Sequence, residues 1–264
     1  MRAVRFLLVF CAVFGFTGLL GFQAVADEKI GVVLMHGKGG TAKSKSPVGK
    51  LAAKLEGAGF LVAAPDMPWS RSRGFDKSHT DSMKEIDEAV ANLKSDGATK
   101  IVVGGHSIGA NAALAYGARR DGLAGVLAIA PGHTIDTQGF QDNIDSDYKR
   151  AKEMVAAGKG DDDAEFKDYN QGRSSTLDIP AAIYLSWFDP EGPASMPVNA
   201  KNLKPGTPLM WIIGEDDRMM ERGEDYVFAK APKHDKNAYV VIGGGHKATP
   251  TKGAKKIIEW LKGL

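Results

Sequence analysis

Apolar and polar positions change rhythm repeatedly along this chain, from strand-like runs to helical spacing and back. Lys29 to Met35 reads Lys-Ile-Gly-Val-Val-Leu-Met, a near-continuous apolar run of the kind buried parallel strands show. A Gly/Lys/Ser-rich loop follows, and Ser46-Pro47 has the form of an N-cap with proline at the first helical position. Val48, Leu51, Ala52 and Leu55 then fall at helical spacing, and Gly57 and Gly59 close that helix. Phe60 to Ala64 predicts a second strand, and Pro65 to Ser78 is irregular. Ser82-Met83-Lys84-Glu85 resembles a capping box, opening a helix whose apolar face is Met83, Ile86, Ala89, Val90 and Leu93 and which Gly97 stops. Lys100 to Gly104 predicts a strand, Ala110 to Arg119 an alanine-rich helix, and Leu123 to Ala130 a further strand ending at Pro131-Gly132.

The rhythm then breaks. Residues 133 to 178 are polar and acidic, with several short helical patches, and Ile179 to Trp187 is apolar again before the Pro/Gly-rich stretch Asp189 to Pro197. Strand-helix alternation resumes with Thr207 to Ile213, the strand Ala238 to Ile242, and a C-terminal amphipathic helix marked by Ala254, Ile257, Ile258 and Leu261. Such alternation predicts an α/β protein: a doubly wound, parallel sheet with helices on both faces. It predicts one domain over 27–264 carrying an insertion at about 133–206. A long excursion inside a compact domain usually serves function.

The first residues follow a different logic. Arg2 and Arg5 make a basic start, Phe6 to Phe22 is a 17-residue run of mostly apolar residues, and Ala24-Val25-Ala26 fits a small-residue cleavage pattern. Residues 1–26 therefore predict a secretory signal peptide, and the chain is expected to be exported, periplasmic or secreted. An uncleaved anchor is the rival, but 17 residues is at the short edge of a bilayer span. Cleavage would remove Cys11, the only cysteine. The mature chain would then have no disulfide, thiol nucleophile or thiolate metal site, and no stable membrane insertion.

Composition is ordinary for a globular chain, with 43% apolar and 25% charged residues in 264. Net charge is +2. Without Arg2 and Arg5 the basic residues fall from 34 to the 32 of the acidic side. This balance gives no electrostatic case for nucleic acid or a polyanionic surface as partner. Asp161-Asp162-Asp163 reads as a solvated face, since a calcium site needs further oxygen ligands that the sequence does not identify. No metal site is expected.

The chemistry centres on Gly105-His106-Ser107-Ile108-Gly109, a Gly-x-Ser-x-Gly run between a predicted strand and a predicted helix. A sharp strand-to-helix turn holds such a serine in strained geometry, and its flanking glycines allow close approach. The helix dipole beneath it favours developing negative charge. A serine hydroxyl needs a base to take its proton. Of six histidines, His246 is the best candidate, in Gly243-Gly244-Gly245-His246 just past the last strand. His36 and His106 adjoin glycine turns and read as structural. His79, His133 and His234 read as surface residues, with His133 also placed to line a pocket mouth because it follows a strand end. The base needs an acid to fix its tautomer. Asp217 is favoured in the turn Gly214-Glu215-Asp216-Asp217, with Asp216 and Glu215 as rivals that spacing does not exclude. A tetrahedral intermediate needs two N–H donors. Ile108, after the serine, supplies one, and the loop His36-Gly37-Lys38-Gly39-Gly40 the other through Lys38. That loop lacks the Gly-Lys-Ser/Thr ending of a phosphate-binding loop.

Taken together, the strand-His36-Gly37 loop, Gly105 to Gly109, Gly214 to Asp217 and Gly245-His246 resemble the α/β-hydrolase superfamily, in its compact serine esterase and dienelactone-hydrolase-like branches. Their chain order, Ser107, Asp217, His246, is the nucleophile-acid-base order of that fold. The resemblance implies a mostly parallel sheet of about eight strands, a cap over the pocket, and hydrolysis of an ester or related acyl bond without a cofactor. Serine at 107 departs from the cysteine of dienelactone hydrolases, and from the aspartate of members that break carbon–halogen bonds. A small-molecule ester or acyl substrate is expected, with Trp69, Trp187 and His133 as candidate substrate-binding residues. Phe140, Tyr169 and Phe188 are further aromatic candidates. Peptidase or thioesterase activity is the alternative, and a non-catalytic binding protein on the same scaffold a more distant one. Oligomeric state is not readable from the sequence.

Overall fold

The computed structural model describes residues 28–264. The expected signal segment and Cys11 lie outside the described residues. Six strands form one parallel sheet in the order β2-β1-β3-β4-β7-β8: β1 (Ile30–Met35), β2 (Leu61–Ala63), β3 (Lys100–Ser107), β4 (Gly125–Pro131), β7 (Leu209–Gly214) and β8 (Ala238–Ile242). β3 is central, with β1 and β4 on either side.

Successive side chains of a strand point to opposite faces, and both faces are dry here. Val32 and Leu34 of β1, with Val102 of β3, pack with Leu51 and Leu55 of α1 (Pro47–Gly57) and with Ile257 and Leu261 of α8 (Ala254–Lys262). Val33, Met35 and Val103 face the other way, toward Ile86 and Leu93 of α2 (His79–Ser95) and Leu114 of α3 (Ile108–Arg119). This is the doubly wound arrangement that the alternating pattern predicts. Ser46 caps α1 as expected, its Oγ accepting from Gly49 N–H at 3.0 Å. The start of α2 is a correction. Ser78 caps it by accepting from Asp81 N–H at 3.0 Å, and Ser82 lies inside the helix. Glu85 is engaged with Arg73 through two 2.7 Å bonds rather than reaching back to a cap.

The expected eight-stranded sheet is also corrected. Eight strands are present, but β5 (Asp163–Asn170) and β6 (Arg173–Pro180) form a separate antiparallel hairpin. The hairpin belongs to the excursion between β4 and β7, with α4 (Gln138–Ala156), α5 (Ala181–Phe188) and α6 (Met196–Lys201). In place of short helical patches, α4 is a 19-residue helix that buries only Phe140, Ile144 and Ala151. So narrow a stripe on a polar helix is hard to see in sequence. The hairpin turns on Gln171 and Gly172, both at positive φ (53° and 78°), as two-residue hairpin turns require.

Aromatic residues join this excursion to the loop after β2 and to α2. Trp187 of α5 lies edge-on to Trp69 at 5.4 Å and to His79 at 4.7 Å. His79, expected at the surface, is fully buried at the start of α2. Chain brought from 108 residues away covers it, which helical periodicity alone does not reveal. Neither of its ring nitrogens has a hydrogen-bond partner among the described residues. Burial, with a smaller contribution from Arg119, pulls its pKa down to about 3. A histidine with a lowered folded pKa costs nothing above its unfolded pKa of about 6.5 and destabilises progressively as pH falls below it, by about 1.4 kcal/mol per pH unit. Replacing His79 with leucine should therefore leave stability near pH 8 within about 1 kcal/mol. It should also cut the loss between pH 6.5 and 4.5 by roughly 2 kcal/mol. Urea unfolding at the two pH values reads this, and an unchanged pH slope would contradict it.

Candidate active site

β3 runs directly into α3 through Ser107, whose backbone sits at φ 60°, ψ −120°. Non-glycine residues held in such a region cost about 1–3 kcal/mol. The bend brings the start of α3 against the end of β1. A Cβ on Gly105 would lie 2.6 Å from the Gly109 carbonyl, and one on Gly109 would lie 2.7 Å from the carbonyl oxygens of both Met35 and His36. Only glycine fits at either place. Ile108 is the first residue of α3, so its N–H has no partner within the helix.

The loop after β1 passes beside the serine, since a Cβ on Gly37 would stand 3.2 Å from Ser107 Cβ. Its shape is fixed by His36 and Trp69. His36 Nδ1–H donates to Gly37 O at 2.8 Å, His36 Nε2 accepts from Met67 N–H at 3.0 Å, and Trp69 Nε1–H donates to His36 O at 2.7 Å. Burial lowers the His36 pKa, which keeps Nε2 free to accept. The amides of Gly39 and Gly40 are engaged with Trp69 O and Gly37 O, at 2.8 and 2.9 Å. The Lys38 amide has no backbone partner among the described residues.

On the other side of the serine, His246 Nδ1 lies 2.7 Å from Asp217 Oδ2. Asp217 is buried, and its second oxygen accepts from Met219 N–H at 3.0 Å. Glu215 and Asp216, the two rivals, are exposed and make no hydrogen bond to His246. His106 Nε2–H donates to the His246 carbonyl at 3.0 Å. Burial first, then the neighbouring His246, pushes its pKa down to about 4, so His106 stays neutral and supports the loop. Ser107 Oγ and His246 Cε1 face a common point at Gly132, where a Cβ would lie 2.8 Å from the first and 3.8 Å from the second. Ser107 Oγ has no hydrogen-bond partner among the described residues. Ser107, His246 and Asp217, far apart in the chain, thus converge at the carboxyl ends of β3, β7 and β8, where open α/β sheets bind ligands.

The alpha/beta hydrolase family profile matches residues 32–253, which spans both the elbow and the His246 loop. The chain belongs to this family. The hydrolase is similar in fold to the monoacylglycerol lipase of Paleococcus ferrophilus, at 23% identity and a TM-score of 0.62 over 88% of this chain and 93% of that one. It is similar to a highly thermostable carboxyl esterase from Bacillus coagulans, at 15% identity and 0.62 over 90% and 91%. It is also similar to a thioesterase domain from the curacin biosynthetic pathway, at 15% and 0.51 over 89% and 92%. No curated protein matches its sequence.

In this hydrolase a cavity of about 190 Å³ opens at Gly132, lined also by His133, Phe140, Tyr169, Gly172, Arg218 and Met219. His133 is thus at the pocket, but buried rather than exposed, and so a correction to its reading as a surface residue. Its Nε2–H donates to Trp187 O at 2.7 Å, and burial together with Lys38 holds its pKa well below the ordinary histidine value. Trp69 and Trp187 do not line the cavity. Both are buried core residues, one supporting the loop through His36 and the other packed on His79. A larger, open hollow of about 870 Å³ adjoins the loop at Gly39 and Gly40, walled by Lys43, Asp66 and Arg71 and by none of Ser107, Gly132 or His246. Among the described residues no group of three or more His, Cys, Asp or Glu side chains is placed to hold a metal ion.

Sequence reading missed the side chain of Lys38. Its ammonium donates to Asp168 Oδ1 of β5 at 2.6 Å and lies 3.5 Å from His133 Nδ1. Both members of the Lys38–Asp168 pair are nearly buried, 10% and 2% exposed. It missed Arg218 and Arg222 as well, although Arg218 directly follows the favoured acid in the chain.

The elbow is directly testable through its strain. Ser107→Gly removes a Cβ from a conformation glycine adopts freely, whereas Ser107→Ala keeps it. The glycine variant should be about 1–2 kcal/mol more stable than the alanine one, a Tm higher by roughly 2–6 °C. Equal stability would contradict the strained geometry.

Proposed function

We propose that this hydrolase cleaves a carboxylic ester through an acyl-enzyme on Ser107. The observation that carries the reading is the convergence of Ser107 Oγ and the His246 ring at Gly132, with His246 held from behind by buried Asp217 at 2.7 Å. Nδ1 of His246 is engaged by Asp217, so Nε2 is the nitrogen left to act as base.

In the proposed sequence, His246 Nε2 takes the hydroxyl proton as Ser107 Oγ attacks the ester carbonyl carbon. Negative charge moves to the carbonyl oxygen, which the amides of Ile108 and Lys38 receive. Each such donor is worth ~3 kcal/mol. The intermediate collapses, the C–O bond to the alcohol breaks, and His246 Nε2–H protonates the departing alkoxide. Water, losing its proton to His246, then attacks the acyl carbon, and Ser107 leaves with that proton. Asp217 stabilises the imidazolium throughout without itself being protonated. His133 and the aromatic residues Phe140 and Tyr169 line the adjoining cavity and receive part of a small ester substrate. Trp69 and Trp187 act on the site only through what they support. The basic start, apolar run and Ala24-Val25-Ala26 site support export of the chain, with this chemistry outside the cytoplasm after cleavage.

A panel of 4-nitrophenyl esters, thioesters and aminoacyl amides tests the reading. Short esters should be turned over fastest, and Ser107→Ala should lose at least about a thousandfold in kcat with its fold retained. Comparable rates for the alanine variant and the parent would overturn the nucleophile. A preference for thioesters or amides would move the activity to the corresponding class.

A further inference from the structure

The cavity beside Ser107 is small and one-sided in charge. Two guanidinium groups, Arg218 and Arg222, stand in its wall, and no acidic side chain does. Neither arginine has a carboxylate within ion-pair distance among the described residues, whereas Arg73, Arg120 and Arg150 each do. Both side chains are exposed, and each has a contact at its guanidinium end. Arg218 and Arg222 begin and end the 3₁₀ turn Arg218–Arg222, which Asp217 caps with the carboxylate that also holds His246. The guanidinium of Arg222 lies 5.1 Å from the centre of the Tyr226 ring. The guanidinium of Arg218 packs on the hairpin turn so closely that a Cβ on Gly172 would be 2.6 Å from its Nη1. Glycine at 172 therefore serves two ends, the positive φ of the turn and room for the arginine.

The geometry points to an anion-recognition subsite: Arg218 and Arg222 select a small ester that carries a second, anionic group, a carboxylate or a phosphate. The inference rests on the hydrolase reading of Ser107 and names its substrate class. A guanidinium presents a planar fork of donors matched to either anion, and two unpaired ones facing a cavity gain more from an anionic ligand than from a neutral one. Gly132 lines the same cavity and stands against Ser107 Oγ, which does not itself line it, so a ligand anchored on the arginines can reach the serine past Gly132. At about 190 Å³, the cavity suits a short substituent rather than a long acyl chain. Because Asp217 both caps the arginine turn and holds His246, the subsite is in fixed register with the base.

Two measurements test this. The first compares kcat/KM for the mono-4-nitrophenyl ester of glutaric acid with that for 4-nitrophenyl pentanoate, its nearest neutral counterpart. The parent should favour the anionic ester, and that ratio should fall tenfold or more in the Arg218→Gln/Arg222→Gln variant. The second needs no turnover. Calorimetry on Ser107→Ala should show monomethyl glutarate binding at least tenfold more tightly than dimethyl glutarate, and the two glutamine substitutions should erase the difference. Phosphoethyl acetate in the same titration separates the two anions, the tighter of the carboxylate and phosphate ligands naming the group. Equal binding of the charged and neutral ligands, or a preference that survives loss of both arginines, would overturn the subsite. Binding through the arginines without hydrolysis of any ester would leave the subsite standing and remove the hydrolase reading. Hydrolysis indifferent to charge would do the reverse.

Discussion

The bend at Ser107, with φ 60° and ψ −120°, is the constraint on which the rest of this site depends. It allows the central strand to pass straight into a helix, so that one residue ends the sheet, starts α3 and presents its hydroxyl above both. Such a backbone is unfavourable by itself and persists because the packing around it leaves no alternative. Gly105 and Gly109 let the start of α3 rest against the carbonyl groups of Met35 and His36, and the apolar strands beneath fill both faces of the sheet. Relaxing the bend would pull apart the contact between α3 and β1 that places the Lys38 loop beside the serine. Three of the five non-glycine residues at positive φ among those described, Ser107, Ala130 and His133, lie at this edge, so the strain is concentrated where the chemistry is expected.

The second organising contact is the Lys38–Asp168 ion pair. It ties the loop that carries a candidate oxyanion donor to the hairpin of the cap. Taking both charges out of water is costly, and a buried pair of this kind contributes more to fixing one arrangement than to net stability. Neighbouring groups fit that role. His133 is kept neutral by burial and by the ammonium beside it, so it accepts from Lys38 at one nitrogen while donating to Trp187 O at the other. The excursion is in this way registered to the loop beside Ser107 by a chain of buried polar contacts.

How much of this was legible in the sequence follows from how local each signal is. The parallel strands, the helix after Ser107 and the N-cap at Ser46 are written in short-range periodicity and cap chemistry, and the structure has them where the pattern puts them. The pairing of Asp217 rather than Asp216 or Glu215 with His246 depends on which carboxylate the turn after β7 buries, and spacing only favoured it. The cap was the least legible part. α4 buries a narrow stripe on a polar helix, and β5 and β6 are strands with many exposed polar residues. Their stability comes from packing in three dimensions on α5, where Phe140 meets Phe188 and Phe166 stacks on Tyr184. For the same reason His79 looked like a surface residue, and Trp69 and Trp187 like pocket residues. The unpaired state of Arg218 and Arg222 is a property of what surrounds them, and no one-dimensional pattern carries it.

The central claim is that Ser107 is an activated nucleophile rather than a strained serine on an inert scaffold. The most direct measurement is covalent labelling with a fluorophosphonate, followed by mass spectrometry of the peptide that bears the adduct. Attack on phosphorus requires an activated hydroxyl and places the charged oxygen where the amides of Ile108 and Lys38 are expected to receive it. A single adduct on Ser107 is expected, formed rapidly in the parent and slowed at least about a hundredfold by His246→Ala. An intact, folded chain that takes up no label, or takes it up at another residue, would contradict it.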